Sequence, residues 1–280
     1  MKARFRYLPL FALGFSSAHA TVMSWQSVVQ NDADAMHLWS FEGATTTEQQ
    51  NDSVGSNDLA KQGTGTLNFG SGYDGTSQSF TPDRGNSTAY RTSTNINIPT
   101  TVSFELILSP DDFSGGFGYA FAGRASTNTR NYFVMQVSST GDLVNLSGNN
   151  FDSNRNAFVT NATEGDWYYL AGTLSYDGTN TTVNTWAANL SDSTPVLTQV
   201  ASNQIEGGTF VNDIQYGVGM LNNSGAYQET FVGDIDEIAL YSGLKDQSFF
   251  QSQLATILVP EPSALALLAL GALPLTRRRR

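Results

Sequence analysis

Between residues 21 and 258 one apolar run after another has period two, the spacing that puts alternate side chains on opposite faces of a pleated strand. Val102, Phe104, Leu106 and Leu108 alternate with Ser103, Glu105 and Ile107. Tyr168, Leu170, Gly172, Leu174 and Tyr176 alternate with Trp167, Tyr169, Ala171 and Thr173. Further strands are predicted at 37–41, 132–138, 142–146, 181–188, 213–219, 228–232 and 235–241. The connections are rich in Gly, Asn, Asp, Ser and Thr: Tyr176-Asp-Gly-Thr179, Ser139-Thr-Gly-Asp142 and Asn222-Asn-Ser-Gly225 supply the positive-φ positions that tight turns need.

Many short strands joined by turns predict an all-β fold, a two-sheet antiparallel sandwich of jelly-roll type. One helix is expected, near the end. Ser248 and Gln251 have capping-box spacing, and Phe250, Leu254 and Ile257 or Leu258 follow at helical intervals. No internal repeat or long linker divides residues 21–258, which read as one domain.

Charge narrows the partners. The chain has 14 Lys and Arg against 25 Asp and Glu, and seven of the basic residues sit within the first six and last four positions. The acidic body between repels phosphate backbones and anionic lipid heads, so nucleic acid is excluded as a partner. Cysteine is absent, which removes disulfides, thiolate nucleophiles and Cys zinc sites, and only His19 and His37 could serve an imidazole metal cluster.

Both ends read as addresses. Residues 1–20 carry Lys2, Arg4 and Arg6, the apolar run YLPLFALGF and Ala18-His-Ala20, which is the build of a secretory signal peptide cleaved after Ala20. Residues 259–280 hold Pro260-Glu261-Pro262, an uncharged apolar segment, then Arg277, Arg278, Arg279 and Arg280. A helix over 263–276 would reach roughly 21 Å, short of a hydrocarbon core of about 30 Å. The arginines should stay cytoplasmic and the acidic body outside. This tripartite tail resembles the PEP-CTERM sorting signal of Gram-negative bacteria. That resemblance implies an exosortase-type processing enzyme at the membrane as partner, a tether before processing, and a place at the cell surface or in a biofilm matrix. An ordinary tail anchor is the other reading of the segment.

Four stretches, in order, carry a second resemblance: His37-Leu-Trp-Ser-Phe-Glu-Gly43 with Asn51-Asp-Ser-Val-Gly-Ser-Asn57; Val102-Ser-Phe-Glu-Leu106; Gly165-Asp-Trp-Tyr-Tyr-Leu-Ala-Gly172 with Tyr176-Asp-Gly178; and Phe231-Val-Gly-Asp-Ile-Asp-Glu-Ile-Ala-Leu-Tyr241. Together they resemble the laminin G-like, concanavalin A-like domains. The chain departs from that pattern at Leu106 to Leu108, where the family often has Trp, and at Trp186-Ala-Ala-Asn189, where it usually has an aromatic-Asn-Gly turn. The resemblance implies a jelly roll that binds glycan or another envelope component, and places Glu42 or Asp52 near Asp236. A structural Ca²⁺ on Asp236 and Glu42, with Asp52 as the alternative ligand, is therefore expected, since a hard cation takes such oxygens. Hydrogen bonding of these acids to nearby amides is the competing expectation.

Asp234-Ile-Asp236-Glu237-Ile238 looks like the Glu-x-Asp-x-Glu motif of family 16 glycoside hydrolases. Retaining hydrolysis needs two carboxyls about 5 to 5.5 Å apart, met on a strand only by same-face carboxylates. In a regular strand that face holds Asp234, Asp236 and Ile238 while Glu237 points away, so binding without catalysis is expected.

A sugar platform would pair aromatic faces with hydrogen-bonding partners, for which Tyr119, Tyr132 and Tyr227 with Asn131, Asn154, Arg124, Arg130 and Arg155 are the candidates. Burial of the tyrosines and pairing of the arginines with surrounding acids is the plainer reading. Trp39, Trp167 and Trp186 read as core. His37 reads as a strand-surface residue, because no Gly-x-Ser-x-Gly elbow accompanies it. Asn-x-Ser/Thr sequons at Asn51, Asn86, Asn145, Asn161, Asn180, Asn189 and Asn222 reflect polar turns. A hydrolase or polysaccharide lyase on the same fold, and a structural envelope protein without ligand, are the alternatives to glycan binding.

Overall fold

The computed structural model describes residues 22–114, 116–124, 131–148, 155–206, 213–223 and 226–258. The predicted signal peptide with Ala18 and Ala20, the tail with Pro260, Glu261, Pro262 and Arg277 to Arg280, and Arg130 and Asn154 lie outside the described residues. Among the described residues the α-helices are α1 (Val22–Asn31), α2 (Thr46–Gln49) and α3 (Gln247–Leu258). The strands begin with β1 (Ala35–Trp39), β2 (Leu59–Gln62), β3 (Asn68–Ser71), β4 (Gln78–Thr81), β5 (Ala89–Thr92) and β6 (Ile96–Asn97). There follow β7 (Thr101–Pro110), β8 (Gly118–Arg124), β9 (Asn131–Val137), β10 (Leu143–Gly148), β11 (Arg155–Val159), β12 (Tyr168–Tyr176) and β13 (Asn180–Asn189). The rest are β14 (Thr198–Glu206), β15 (Asp213–Ile214), β16 (Tyr216–Val218), β17 (Leu221–Asn223), β18 (Ala226–Gln228) and β19 (Gly233–Ser242).

Two large sheets face each other, as a jelly-roll sandwich requires. One runs β14-β13-β12-β7-β19-β4-β3 with β1 also on β19; the other runs β11-β10-β9-β8-β16-β5-β2 with β17 and β18 beside β8. Among the named strands of the described residues, pairing is antiparallel apart from β8 with β17. The period-two residues fill the space between the sheets: Val102, Phe104, Leu106 and Leu108 meet Phe121, Met135, Tyr216 and Val218 there. Gly172 faces Phe104, and a Cβ at 172 would come within 2.1 Å of its Cζ, so the ring occupies the room a side chain would take.

The outward face of the eight-stranded sheet is covered too. Trp25 and Val29 of α1, with Phe250, Leu254 and Ile257 of α3, pack on Leu38, Ile107, Tyr169, Ala171, Ala239 and Tyr241. Sequence patterning predicts α3 but not α1. The α3 cap also differs from expectation: Asp246 Oδ1 accepts from the Phe249 backbone N–H at 2.8 Å and from the Ser248 hydroxyl at 2.6 Å, so Asp246 caps in place of Ser248. No helix among the described residues is long and apolar enough to cross a membrane.

Candidate cation site

One extra residue in β19 builds the site. Ile235 pairs with Leu108 but Glu237 pairs with Ile107, so Asp236 is unmatched in the ladder, a β-bulge. Inward positions on β19 are Ile235, Ile238 and Leu240, three and then two residues apart. The regular alternation that would hide Glu237 from Asp236 is broken, and ligand atoms of Glu42, Asp236 and Glu237 lie within 4.8 Å of one another. The expectation that Glu237 points away from Asp236 is corrected by this bulge.

Asp236 and Glu237 are both 0% exposed. Asp236 Oδ2 accepts from the Tyr73 backbone N–H at 2.8 Å and the Ser77 hydroxyl at 3.2 Å. Glu237 Oε1 accepts from the Gln26 amide on α1, and Glu42 Oε1 from the Gln78 backbone N–H at 2.8 Å. Asp236 Oδ1 and Glu237 Oε2 are buried with no partner. Gly72 brings the loop between β3 and β4 up to the carboxyl: a Cβ there would sit 2.6 and 2.7 Å from the two Asp236 oxygens.

Three acid groups this close cannot all be ionised without a counter-charge. Burial, before any other cause, raises the pKa of each. The charges of Glu42 and Asp74 add to it at Asp236, and that of Asp236 at Glu237, while the amide and hydroxyl donors oppose it. The group therefore holds protons or a cation. All the donors are hard oxygens, and one oxygen each of Asp236 and Glu237 is buried without a partner, which fits Ca²⁺ or a similar divalent ion.

The candidate ligand residues divide. Asp236 and Glu42 come together as expected, and Glu237 joins them. Asp52 does not. Its carboxylate meets His37 Nδ1 at 2.6 Å and accepts backbone N–H bonds from Leu38, Gly55 and Asn57 at 3.0, 2.9 and 3.1 Å. Burial pushes its pKa up, but the His37 and backbone bonds outweigh that and leave it below the usual carboxylate range. Asp52 thus staples the loop after β1, and the His37 ring stacks on Trp39 with centroids 5.2 Å apart. Asp234 accepts from the Thr81 hydroxyl and stands apart from the trio.

Tyr119 is 3% exposed and its hydroxyl accepts from Gln136 at 2.9 Å, so it offers no ring face to a sugar. The β8–β9 register pairs Arg124 with Asn131, and β17 pairs Asn223 with Arg124 and Asn222 with Tyr227. Tyr132 lies on β9, and Arg155 opens β11 opposite Leu146. Trp39 and Trp186 are core, and Trp167 packs on the layer beneath the helices.

A further buried carboxyl stands on β7. Glu105, 0% exposed, accepts from the Trp25 indole N–H at 2.9 Å, and burial pushes its pKa up to about 8 against the opposing pull of Trp25, Tyr169 and Tyr241. Patterning could have found Glu237 through the three-residue step from Ile235 to Ile238. Gln26 gives no such sign, because it enters from a helix that the pattern does not show.

No family model and no curated protein matches the chain. Solved structures do share its fold. Trypanosoma rangeli sialidase with 2,3-difluorosialic acid is 12% identical with a TM-score of 0.54, covering 86% of this chain and 38% of that one. Trypanosoma rangeli sialidase in another structure is 14% identical with a TM-score of 0.52, over 81% and 33%. Botulinum neurotoxin type C, whose cell entry depends on two ganglioside molecules, is 8% identical with a TM-score of 0.52, over 83% and 53%. This chain therefore spans about a third to a half of those structures. At such identities the likeness establishes the jelly-roll sandwich fold alone.

Proposed function

We propose that the chain is an exported, non-catalytic jelly-roll module that binds a glycan of the cell envelope or matrix and uses Ca²⁺ as a structural ion held by Glu42, Asp236 and Glu237. The carrying observation is the acid trio, in which Asp236 and Glu237 are fully buried and each keeps one oxygen without a partner. A glycosidase needs carboxyls that reach the scissile bond, at about 5 to 5.5 Å or 6.5 to 9.5 Å separation. Here Asp236 and Glu237 are 0% exposed and the three groups crowd within 4.8 Å, which suits holding an ion rather than attacking a sugar. The ganglioside dependence stated for the botulinum neurotoxin adds a distant parallel for glycan binding on this fold. The laminin G-like resemblance supports the same assignment. Residues 1–20 direct export and residues 259–280 direct exosortase processing in a Gram-negative envelope.

Calcium titration of the exported protein by native mass spectrometry and thermal melting tests the trio. At a hundredfold excess over Kd the ion should add about 2.7 kcal/mol of stability. Chelator-insensitive melting with no bound metal overturns the calcium assignment, and sugar cleavage by the purified protein overturns the non-catalytic one.

A further inference from the structure

Beside the trio, between α1 and α2, lies an open cleft of about 480 Å³. That is within the range of small-ligand sites. Its lining residues are polar apart from Gly43, with their aliphatic carbons making about half of the lining surface: they bring the amides of Gln26, Gln30 and Asn51, the hydroxyls of Ser40 and Thr47, and the carboxylates of Glu42 and of Glu48 on α2. Amides and hydroxyls each donate and accept, which matches the paired demand of sugar hydroxyls. Among the described residues, no Lys, Arg, His or aromatic side chain lines the cleft.

We infer that this cleft is the glycan site, and that it takes neutral or amino sugars and rejects sialylated, uronic or sulfated ones. The inference rests on the binding role proposed above and names the ligand class. With Ca²⁺ in the trio its three carboxylates still carry one negative charge more than the ion neutralises, and Glu48 adds another, so an anionic sugar meets net like charge, whereas a neutral hydroxyl or an ammonium donates to Glu42 and Glu48. Three wall groups are already fixed before a ligand arrives. Glu48 Oε2 accepts from the backbone N–H groups of Ala44 and Thr45 at 2.9 Å each and from the Thr45 hydroxyl at 3.0 Å. Glu42 is held by Gln78, and Gln26 by Glu237. Preorganised groups lose little freedom on binding.

The same contacts join the cleft to the ion. Glu42 belongs to both, and Gln26 reaches the trio through Glu237, so an ion bound by Glu42 and Glu237 acts directly on two walls of the cleft and neutralises charge at one of them. Sugar binding is therefore calcium-dependent even where the sugar never touches the ion. Without an aromatic platform the affinity of one site is modest, and a multivalent display reads it best.

The test is an array of neutral, amino, sialylated, uronic and sulfated glycans, probed with the exported protein in calcium and in chelator. Beside it run the exposed-site double variant Gln30→Ala with Asn51→Ala, and Glu42→Gln. Expected are binding confined to neutral or amino glycans, at least tenfold weaker in chelator; a tenfold or greater loss in the double variant with its calcium titration unchanged; and loss of both in Glu42→Gln. Unchanged glycan binding by the double variant overturns the cleft while leaving the proposed function standing. A preference for sialylated or sulfated glycans overturns the charge argument. Binding to no glycan at all overturns the cleft and the proposed binding role together, and the calcium titration still judges the trio by itself.

Discussion

The eight-stranded sheet has two buried faces that obey different rules. Towards the other sheet it presents Phe104, Leu106, Leu108, Leu170, Ile235 and Ile238, an apolar layer closed by the matching face opposite. Towards α1 and α3 it mixes Tyr169, Trp186 and Tyr241 with Glu105 and Glu237, both fully buried. The inner face gets its cohesion from excluded water and close packing. The outer face must in addition hold carboxyls that cannot reach solvent: Trp25 and Gln26 of α1 each satisfy one oxygen, of Glu105 and Glu237 respectively, while the second oxygen of each stays buried without a partner. Packing faults should hurt the inner face most, and charge the outer.

The largest effect should come from the inner face. Phe104→Ala is expected to cost about 4 kcal/mol in denaturant unfolding, from lost transfer energy plus an unfilled cavity. A cost under 1 kcal/mol would show that the two layers do not differ as described. Next, Gly72→Ala pushes a methyl group against both Asp236 oxygens, and should abolish the calcium-dependent gain of about 2.7 kcal/mol at hundredfold excess over Kd. Equal calcium stabilisation in variant and parent would mean the ion sits elsewhere.

Glu105 sharpens the contrast through pH. Folded, it keeps its proton up to about pH 8; unfolded, it releases it near 4.5. The folded chain binds the extra proton between those values, so stability is full below pH 4.5 and falls as pH rises through the interval, by up to about 1.4 kcal/mol per unit. Glu105→Gln should remove that slope. Melting both proteins from pH 5 to 8 in saturating calcium checks it, and parallel curves would refute it. The smallest effect belongs to Lys245, which bridges Asp32 at 3.0 Å and Asp34 at 2.9 Å near the surface. Lys245→Ala should cost no more than about 1 kcal/mol, read at low salt.

The inner face was legible because alternation is a local property. Residues 102–108 and 168–176 carry it, and turn residues such as Gly141 and Gly178, at φ of 82° and 99°, mark where the chain reverses. Alternation also tells that Glu105 points outward, but not that a helix lies over it. That helix is hard to read: α1 contributes Trp25 and Val29 to the buried layer and has no acidic residue in its first turn. The capping box of Thr45 and Glu48 on α2 is visible in the sequence, yet polar residues follow it, so no apolar stripe supports a helix. In the proposed cation site, the closeness of Glu42 to Asp236 is what the family likeness implies, Glu237 is hidden from a reading that takes the strand as regular, and Asp52 is held by His37 and backbone amides instead.

The unmatched position in β19 also shows how small a change could erase the site. Removing Asp236 would let Ile235 and Glu237 take consecutive rungs against β7, leaving an uninterrupted ladder with one acid fewer. A relative lacking that one residue would keep the same sandwich without the acid trio, so the register of one strand, more than the overall architecture, decides whether this fold carries the proposed cation site.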